Sequence, residues 1–435
     1  MFKKILPLNL ILFLRFFGLF LVLPLISLYA LEMEGSTPLL VGVVIGGYAL
    51  TQAIFQVPFG SLSDKFGRKK LIIFGLILFL IGSIVSFLAT DIYTLILGRL
   101  LQGAGAIGSV ISATVSDVVQ EEKRGKAMAI IGGSIAMSFA LAMIFGSTIG
   151  AYYGVDFLFL VTSILAFISI FVALKIPEVS KIEFKYRKGG EKHNLFKDKA
   201  ILYLFFSSLF QKGVMTIVFM IIPIVLTTQG DWAKEELWQI YVPAMFIGLL
   251  AMGPAVIFGE KKNKPKIIFL LSSVLFLVVS VLISMNTPEL TIIALFIFFV
   301  AFNLIEPLIQ SMVSKFVKVN EKGRALGFTN SFAYIGTFLG GTGAGIFLNS
   351  GNIETLGYIL IGLSLIWFVW TILIENPIPK GNLYIPHSKA LENRLEKANL
   401  KEIDEWYINR TENLIIVKYD KSIYSEDKLN KILSL

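Results

Sequence analysis

The chain has 435 residues, of which 55% are hydrophobic and 16% charged, with a formal net charge of +9 and no cysteine. So small a polar complement does not cover a soluble globule of this length, and lipid is the implied solvent. The lack of cysteine excludes disulfides, thiolate metal sites and cysteine nucleophiles together.

Taken from the N-terminus, apolar runs predict helices at 6–31, 38–62, 70–89, 93–118, 127–152, 157–176, 200–228, 239–259, 267–285, 290–314, 325–349 and 353–374. Each reaches the roughly 20 residues that carry a helix across about 30 Å of hydrocarbon. These are spans 1 to 12 of an all-α membrane protein. Lys3 and Lys4 give span 1 the look of a secretory signal. Its apolar stretch is too long for one and eleven spans follow, so it reads as a retained helix. Span 2 ends in Gly60-Ser-Leu-Ser-Asp64-Lys-Phe-Gly67-Arg68-Lys-Lys, with Asp64 and Arg68 four residues apart. Its glycines let the backbone pass close to a neighbour and then reverse. Span 4 carries Leu97-Gly-Arg99-Leu-Leu-Gln-Gly-Ala-Gly-Ala106 and ends near Asp117.

Residues 177–199, with Lys181, Lys185, Arg187, Lys188 and Lys192, break the apolar rhythm as a cytoplasmic linker. They divide six-helix halves at 1–176 and 200–374. The halves repeat: Leu-Phe-Leu-Arg at 12–15 parallels Leu-Phe-Gln-Lys at 209–212. Ser-Asp-Lys at 63–65 parallels Gly-Glu-Lys at 259–261, and the run at 123–129 parallels that at 321–327. Near-constant offsets indicate duplicated halves in the same orientation. Past Glu375-Asn-Pro377 a strand (383–385), a helix (388–399), two strands (402–408 and 413–419) and a final helix (425–433) predict a small α+β ferredoxin-like domain at 383–435. A unit of about 50 residues is marginal alone, so it docks on the spans or self-associates with a second copy.

The basic residues cluster in alternate loops: Lys65 to Lys70, Lys123 to Lys126, Lys261 to Lys266 and Lys315 to Arg324. The intervening loops carry acids, with Lys234 as their one cation. By the positive-inside rule both termini are cytoplasmic, and the positive charge reads as topology rather than as nucleic-acid binding. His193 and His387 read as solvated loop residues. With no nucleophile–base pair, phosphate-binding loop or metal cluster in the pattern, the expectation is no enzyme, no cofactor and no metal site.

The Gly60–Lys70 run resembles the G-x-L-x-D-R-x-G-R-K-x signature of the major facilitator superfamily, and Arg99-x-x-Gln-Gly-x-Gly resembles its span 4 motif. With Phe302-Asn-Leu-Ile-Glu306 and the C-terminal module, the whole chain is similar to the YajR-type transporters of the superfamily's drug:proton antiporter branch. The resemblance implies a bacterial inner-membrane transporter with its cavity lined by spans 1, 4, 7 and 10. One departure stands out: the branch's Gly-Pro pair in span 5 is replaced by Gly146-Ser-Thr-Ile-Gly150, which weakens the implication of export.

A charge at the bilayer centre costs at least about 2.5–3.5 kcal/mol and is a functional candidate by default. Arg15, Lys212 and Glu306 fall near mid-depth and Arg99 nearer the outer face, one on each of the four helices that the resemblance assigns to the cavity. They form the candidate substrate and proton site, with Gln52, Gln56, Gln211, Asn303 and Tyr334 as polar neighbours. Glu306 is the mid-membrane acid and so the candidate proton carrier. The alternative is a Lys212–Glu306 pair that only locks the bundle. Gly60, Asp64, Gly67, Arg68 and Asp117 form a candidate conformational latch, or else a loop staple. Since Gly259-Glu-Lys-Lys262 has lost the glycine and arginine spacing, the latch is expected on one side only.

These readings predict a proton-coupled secondary transporter exporting small amphipathic or anionic compounds by alternating access. Its partners are a small-molecule substrate, protons and the lipid bilayer. The alternatives are a proton symporter taking up a small organic anion, and a transporter-like sensor that signals through 383–435.

Overall fold

The computed structural model describes residues 2–176, 184–188, 194–262, 264–317, 321–375, 380–398, 403–421 and 423–433. Among them eleven helices are long and apolar enough to cross a membrane, from Pro38–Phe66 (span 2) to Ile353–Leu373 (span 12). Span 1 completes the twelve in two pieces. Phe2–Leu21 stops just before Pro24, which lacks a backbone donor, and the helix resumes at Ile26–Leu31. Span 4 is likewise divided into Ile92–Ala104 and Gly108–Val118. The glycines of its motif explain the break. A side chain at Gly103 would strike the Tyr48 carbonyl of span 2, and one at Gly105 the Gly75 carbonyl of span 3. Span 8, Trp238–Pro254, continues as a π-helix at Ala255–Lys261 after its second internal proline.

The duplication is visible in contacts as well as in sequence. At the start of span 3, Lys69 Nζ donates to the Leu174 carbonyl at the end of span 6 at 2.6 Å. At the start of span 9, Lys266 Nζ donates to the Ile372 carbonyl at the end of span 12, also at 2.6 Å.

Close approaches between the halves gather at the end opposite the termini. Spans 2 and 11 (Lys322–Asn349) meet there backbone to backbone. A Cβ on Gly341 would lie 2.5 Å from the Gly42 carbonyl, and one on Gly345 would lie 2.6 Å from that of Pro38. Ser27 Oγ bonds the Phe219 carbonyl at 3.4 Å, and Lys234 reaches Glu32 at 3.4 Å. At the basic end, Gly132 and Gly133 of span 5, Gly253 of span 8 and Gly323 and Gly327 of span 11 face open space. These close contacts between the halves therefore lie toward the end opposite the termini.

The C-terminal module comprises β2 (Lys380–Pro386), a helix Lys389–Ala398, β3 (Ile403–Asn409), β4 (Leu414–Asp420) and a helix Glu426–Leu433. β2 and β3 both pair antiparallel with β4 between them, the split βαβ arrangement of a ferredoxin-like fold. A fourth strand comes from the segment expected to be a linker. β1 (Phe184–Lys188) pairs antiparallel with β3, giving the order β1-β3-β4-β2. The remainder of 177–193, His193 included, lies outside the described residues. His387 is not free in solvent, because its Nε2 lies 3.2 Å from Glu392.

One sheet face packs Ile415, Val417 and Tyr419 under the two helices. The opposite face buries Glu405, Tyr407, Ile416 and Lys418, and it docks on the spans. Lys418 Nζ bonds the Val317 carbonyl at the end of span 10 at 3.0 Å and lies 3.4 Å from Glu405. Glu412 reaches Arg124 of span 5 at 3.7 Å. The module thus touches both halves at the basic end. Removing one partner of a buried ion pair costs about 3–5 kcal/mol. Lys418→Met is therefore expected to undock the module, read in limited proteolysis as faster release of a C-terminal fragment while the spans stay intact.

Candidate functional site

Two polar clusters lie within the helices, one in each half. In the C-terminal half, Lys212 of span 7 (Lys199–Gln229) and Glu306 of span 10 (Pro288–Phe316) form an ion pair. Nζ is 2.9 Å from both carboxylate oxygens. Gln211 Nε2 donates to Oε2 at 2.9 Å and to the Phe302 carbonyl at 3.1 Å. The Phe302 ring sits 4.5 Å from the ammonium. Side-chain exposures of 21% for Lys212 and 31% for Glu306 leave the pair partly accessible. Pro307 follows Glu306 inside the helix and removes the hydrogen bond that its own nitrogen would donate to the Asn303 carbonyl. Asn303 itself is spent on packing, since its amide donates to Phe299 of its own helix at 2.8 Å and lies against Gly248.

In the N-terminal half, Arg15 and Arg99 are both completely buried. Arg99 donates through Nε to the Val44 carbonyl at 3.2 Å and through Nη1 to Gln102 at 2.7 Å, and Gln102 is held by Ser83 at 3.0 Å. The Arg99 guanidinium stacks 4.6 Å from the Tyr48 ring. Arg15 lies against aromatic rings, 5.2 Å from that of Phe79 and 5.9 Å from that of Phe16. Gln52, one turn beyond Tyr48 on span 2, donates to Tyr334 Oη of span 11 at 2.7 Å, a hydrogen bond between the halves. Tyr334 lies within electrostatic reach of both Arg15 and Glu306. Gln56 packs over Gly108, and its side-chain Oε1 has no hydrogen-bond partner among the described residues.

The four candidate charges therefore divide between two clusters, with Tyr334 between them. The sequence pattern does not single out Tyr48, Gln102 or Phe302 as site residues. Tyr48 was readable in principle as the residue one helical turn before Gln52.

The basic-end cluster is compact. Arg68 meets Asp64 at 2.8 Å, Asp117 at 3.0 Å and Ser63 Oγ at 2.6 Å, tying the ends of spans 2 and 4 to the start of span 3. Gly67 turns the chain at φ +96°, where a side chain is disfavoured, and Gly60 lies against Ser109. The second half carries an ion pair at the corresponding place. Lys315 stands where Asp117 does in the repeat and meets Glu260, the counterpart of Asp64, at 3.0 Å. The acid of Asp64 is kept as Glu260, while its cation comes from the end of span 10 rather than from the start of span 9, which a search for the same residue types passes over.

Comparison with known proteins accords with this architecture. A family profile described as Major Facilitator Superfamily matches residues 8–302 and 245–417. The inner membrane transport protein YajR of Escherichia coli (strain K12) is 32% identical, over 97% of this chain and 94% of its own length. Multidrug resistance protein 2 of Bacillus subtilis is 25% identical over 82% of this chain and 92% of its own. Among solved structures, the nucleoside transporter NupG superposes with a TM-score of 0.64 at 16% identity, over 85% of this chain and 98% of that one. The human organic anion transporter MFSD10 gives 0.62 at 15% identity, over 85% and 99%. At such identities these two likenesses speak to the fold alone.

Proposed function

Because the chain belongs to the Major Facilitator Superfamily, we propose that it couples proton movement to the export of small amphipathic or anionic compounds by alternating access. That it is a multi-pass membrane transporter follows from the family; direction, coupling and substrate are our reading. The observation that carries it is the Lys212–Glu306 pair. An acid held in the spans at substantial cost and left partly accessible beside a cation suits the exchange of a proton against a charged solute. Residues 1–176 and 200–374 act as the two moving bodies. With the termini taken as cytoplasmic, the backbone contacts of spans 2 and 11 at the opposite end fit an inward-facing state. Arg68 with Asp64 and Asp117, and Lys315 with Glu260, hold together the helix ends that rock as units.

The test is a flux screen in proteoliposomes under an imposed pH gradient. Export coupled to protons predicts uphill solute movement against the direction of proton flow. Movement of solute and protons in the same direction would replace this reading with symport.

A further inference from the structure

Among the described residues, none of the three guanidinium nitrogens of Arg15 has a hydrogen-bond partner, although the side chain is fully buried. Arg99 leaves its Nη2 unpartnered in the same way. The ring of Tyr48 lies against Arg99, and Tyr48 interacts electrostatically with both arginines. A buried carboxylate or amine relieves such a position by changing its protonation. Arginine keeps its proton, so its charge needs a counter-anion. The aromatic rings of Phe79 and Phe16 satisfy only the faces of Arg15, and the donating edges of its planar fork remain, matched in geometry to a two-oxygen anion.

We propose that the N-terminal half holds a small-anion subsite, distinct from the Lys212–Glu306 pair, in which Arg15 is the principal ligand and Arg99 the second cation. Its ligand is a compact monovalent anion, either the carboxylate of a carried solute or a free halide. The carboxylate arm rests on the transport reading above; the halide arm does not. The Gln52–Tyr334 hydrogen bond joins spans 2 and 11 beside this cluster, so the site opens when those spans separate and gains or loses its anion at that step.

The full chain in nanodiscs of neutral lipid, in zwitterionic buffer at matched ionic strength, is titrated with sodium acetate and separately with sodium chloride while thermal unfolding is followed. The parent protein is expected to show a saturable rise in its midpoint. A response to acetate identifies the carboxylate, and a response to chloride alone identifies the halide. Arg15→Lys keeps the charge without the fork and should weaken the response by about tenfold; Arg15→Gln should abolish it. Without added anion, Arg15→Gln should unfold at the parent temperature or above, because it removes an uncompensated charge. A parent protein that responds to neither anion overturns the subsite, as does an Arg15→Gln variant that responds like the parent or is less stable than it without anion. Anion binding without any solute flux would sink the transport reading and leave the subsite standing, and flux without an anion response would do the reverse.

Discussion

Glu306→Gln is expected to leave a folded protein that no longer moves protons with its solute. The carboxylate accepts from Lys212 through both oxygens and from Gln211 through one. An amide in its place still offers an acceptor to each donor, so the helices keep their hydrogen bonds although Lys212 loses its counter-charge. What the amide lacks is a proton to exchange. Among the polar groups placed in the two clusters, Glu306 is the acid, while Arg15 and Arg99 cannot titrate in the working range. In vesicles loaded with a pH-sensitive dye, the parent should show solute-dependent proton movement and accumulate solute against its gradient. Glu306→Gln should show no proton movement above empty vesicles and at most equilibrate solute downhill. Normal coupling in this variant would assign proton transfer to another group and return the Lys212–Glu306 pair to a locking role.

How much of this was readable beforehand follows from which constraints are local. Lipid demands long apolar helices, so the spans are written in composition. Pro24, Gly105 and Pro254 mark breaks within them by backbone chemistry alone. Depth is also local, since residue count fixes height along a helix, and Arg15, Lys212 and Glu306 declared themselves as charges in an apolar run. Azimuth is not local. Each residue turns about 100° from the last, and a small change in helix rotation decides which neighbour a side chain meets. That is why Arg15 and Glu306 look like one site in sequence and belong to two clusters in space. β1 was hidden for a related reason. Phe-Lys-Tyr-Arg-Lys at 184–188 carries no turn signal tying it to β3, and its pairing is fixed only when the C-terminal module assembles.

Gly42→Val is expected to stop transport by preventing closure at the end opposite the termini. There the backbones of spans 2 and 11 come so near that a Cβ on Gly42 would overlap the Gly341 carbonyl, and one on Gly46 would lie 2.8 Å from the Phe338 Cα. The obstructing atoms are main chain, so no rotamer change makes room, and small residues at such a crossing are what permits the contact. The substitution does not enter the core of either half. It penalises only the state in which the halves meet here, and so shifts the population toward the opposite one. The absence of native cysteine makes this measurable. In the parent background Ser27→Cys, buried where Ser27 bonds the Phe219 carbonyl across the halves, should resist a maleimide reagent that does not cross the membrane, added on that side. In the Gly42→Val background it should be labelled, and solute flux should fall to background. Gly323→Val, placed where a side chain meets open space, should leave Ser27→Cys protected. If Gly42→Val transports normally with Ser27→Cys still shielded, the spans 2 and 11 contact is packing rather than a gate. If both glycine variants expose the cysteine, the effect is general loosening of the fold. Exposure by Gly42→Val alone ties the glycine contact to the alternation of access.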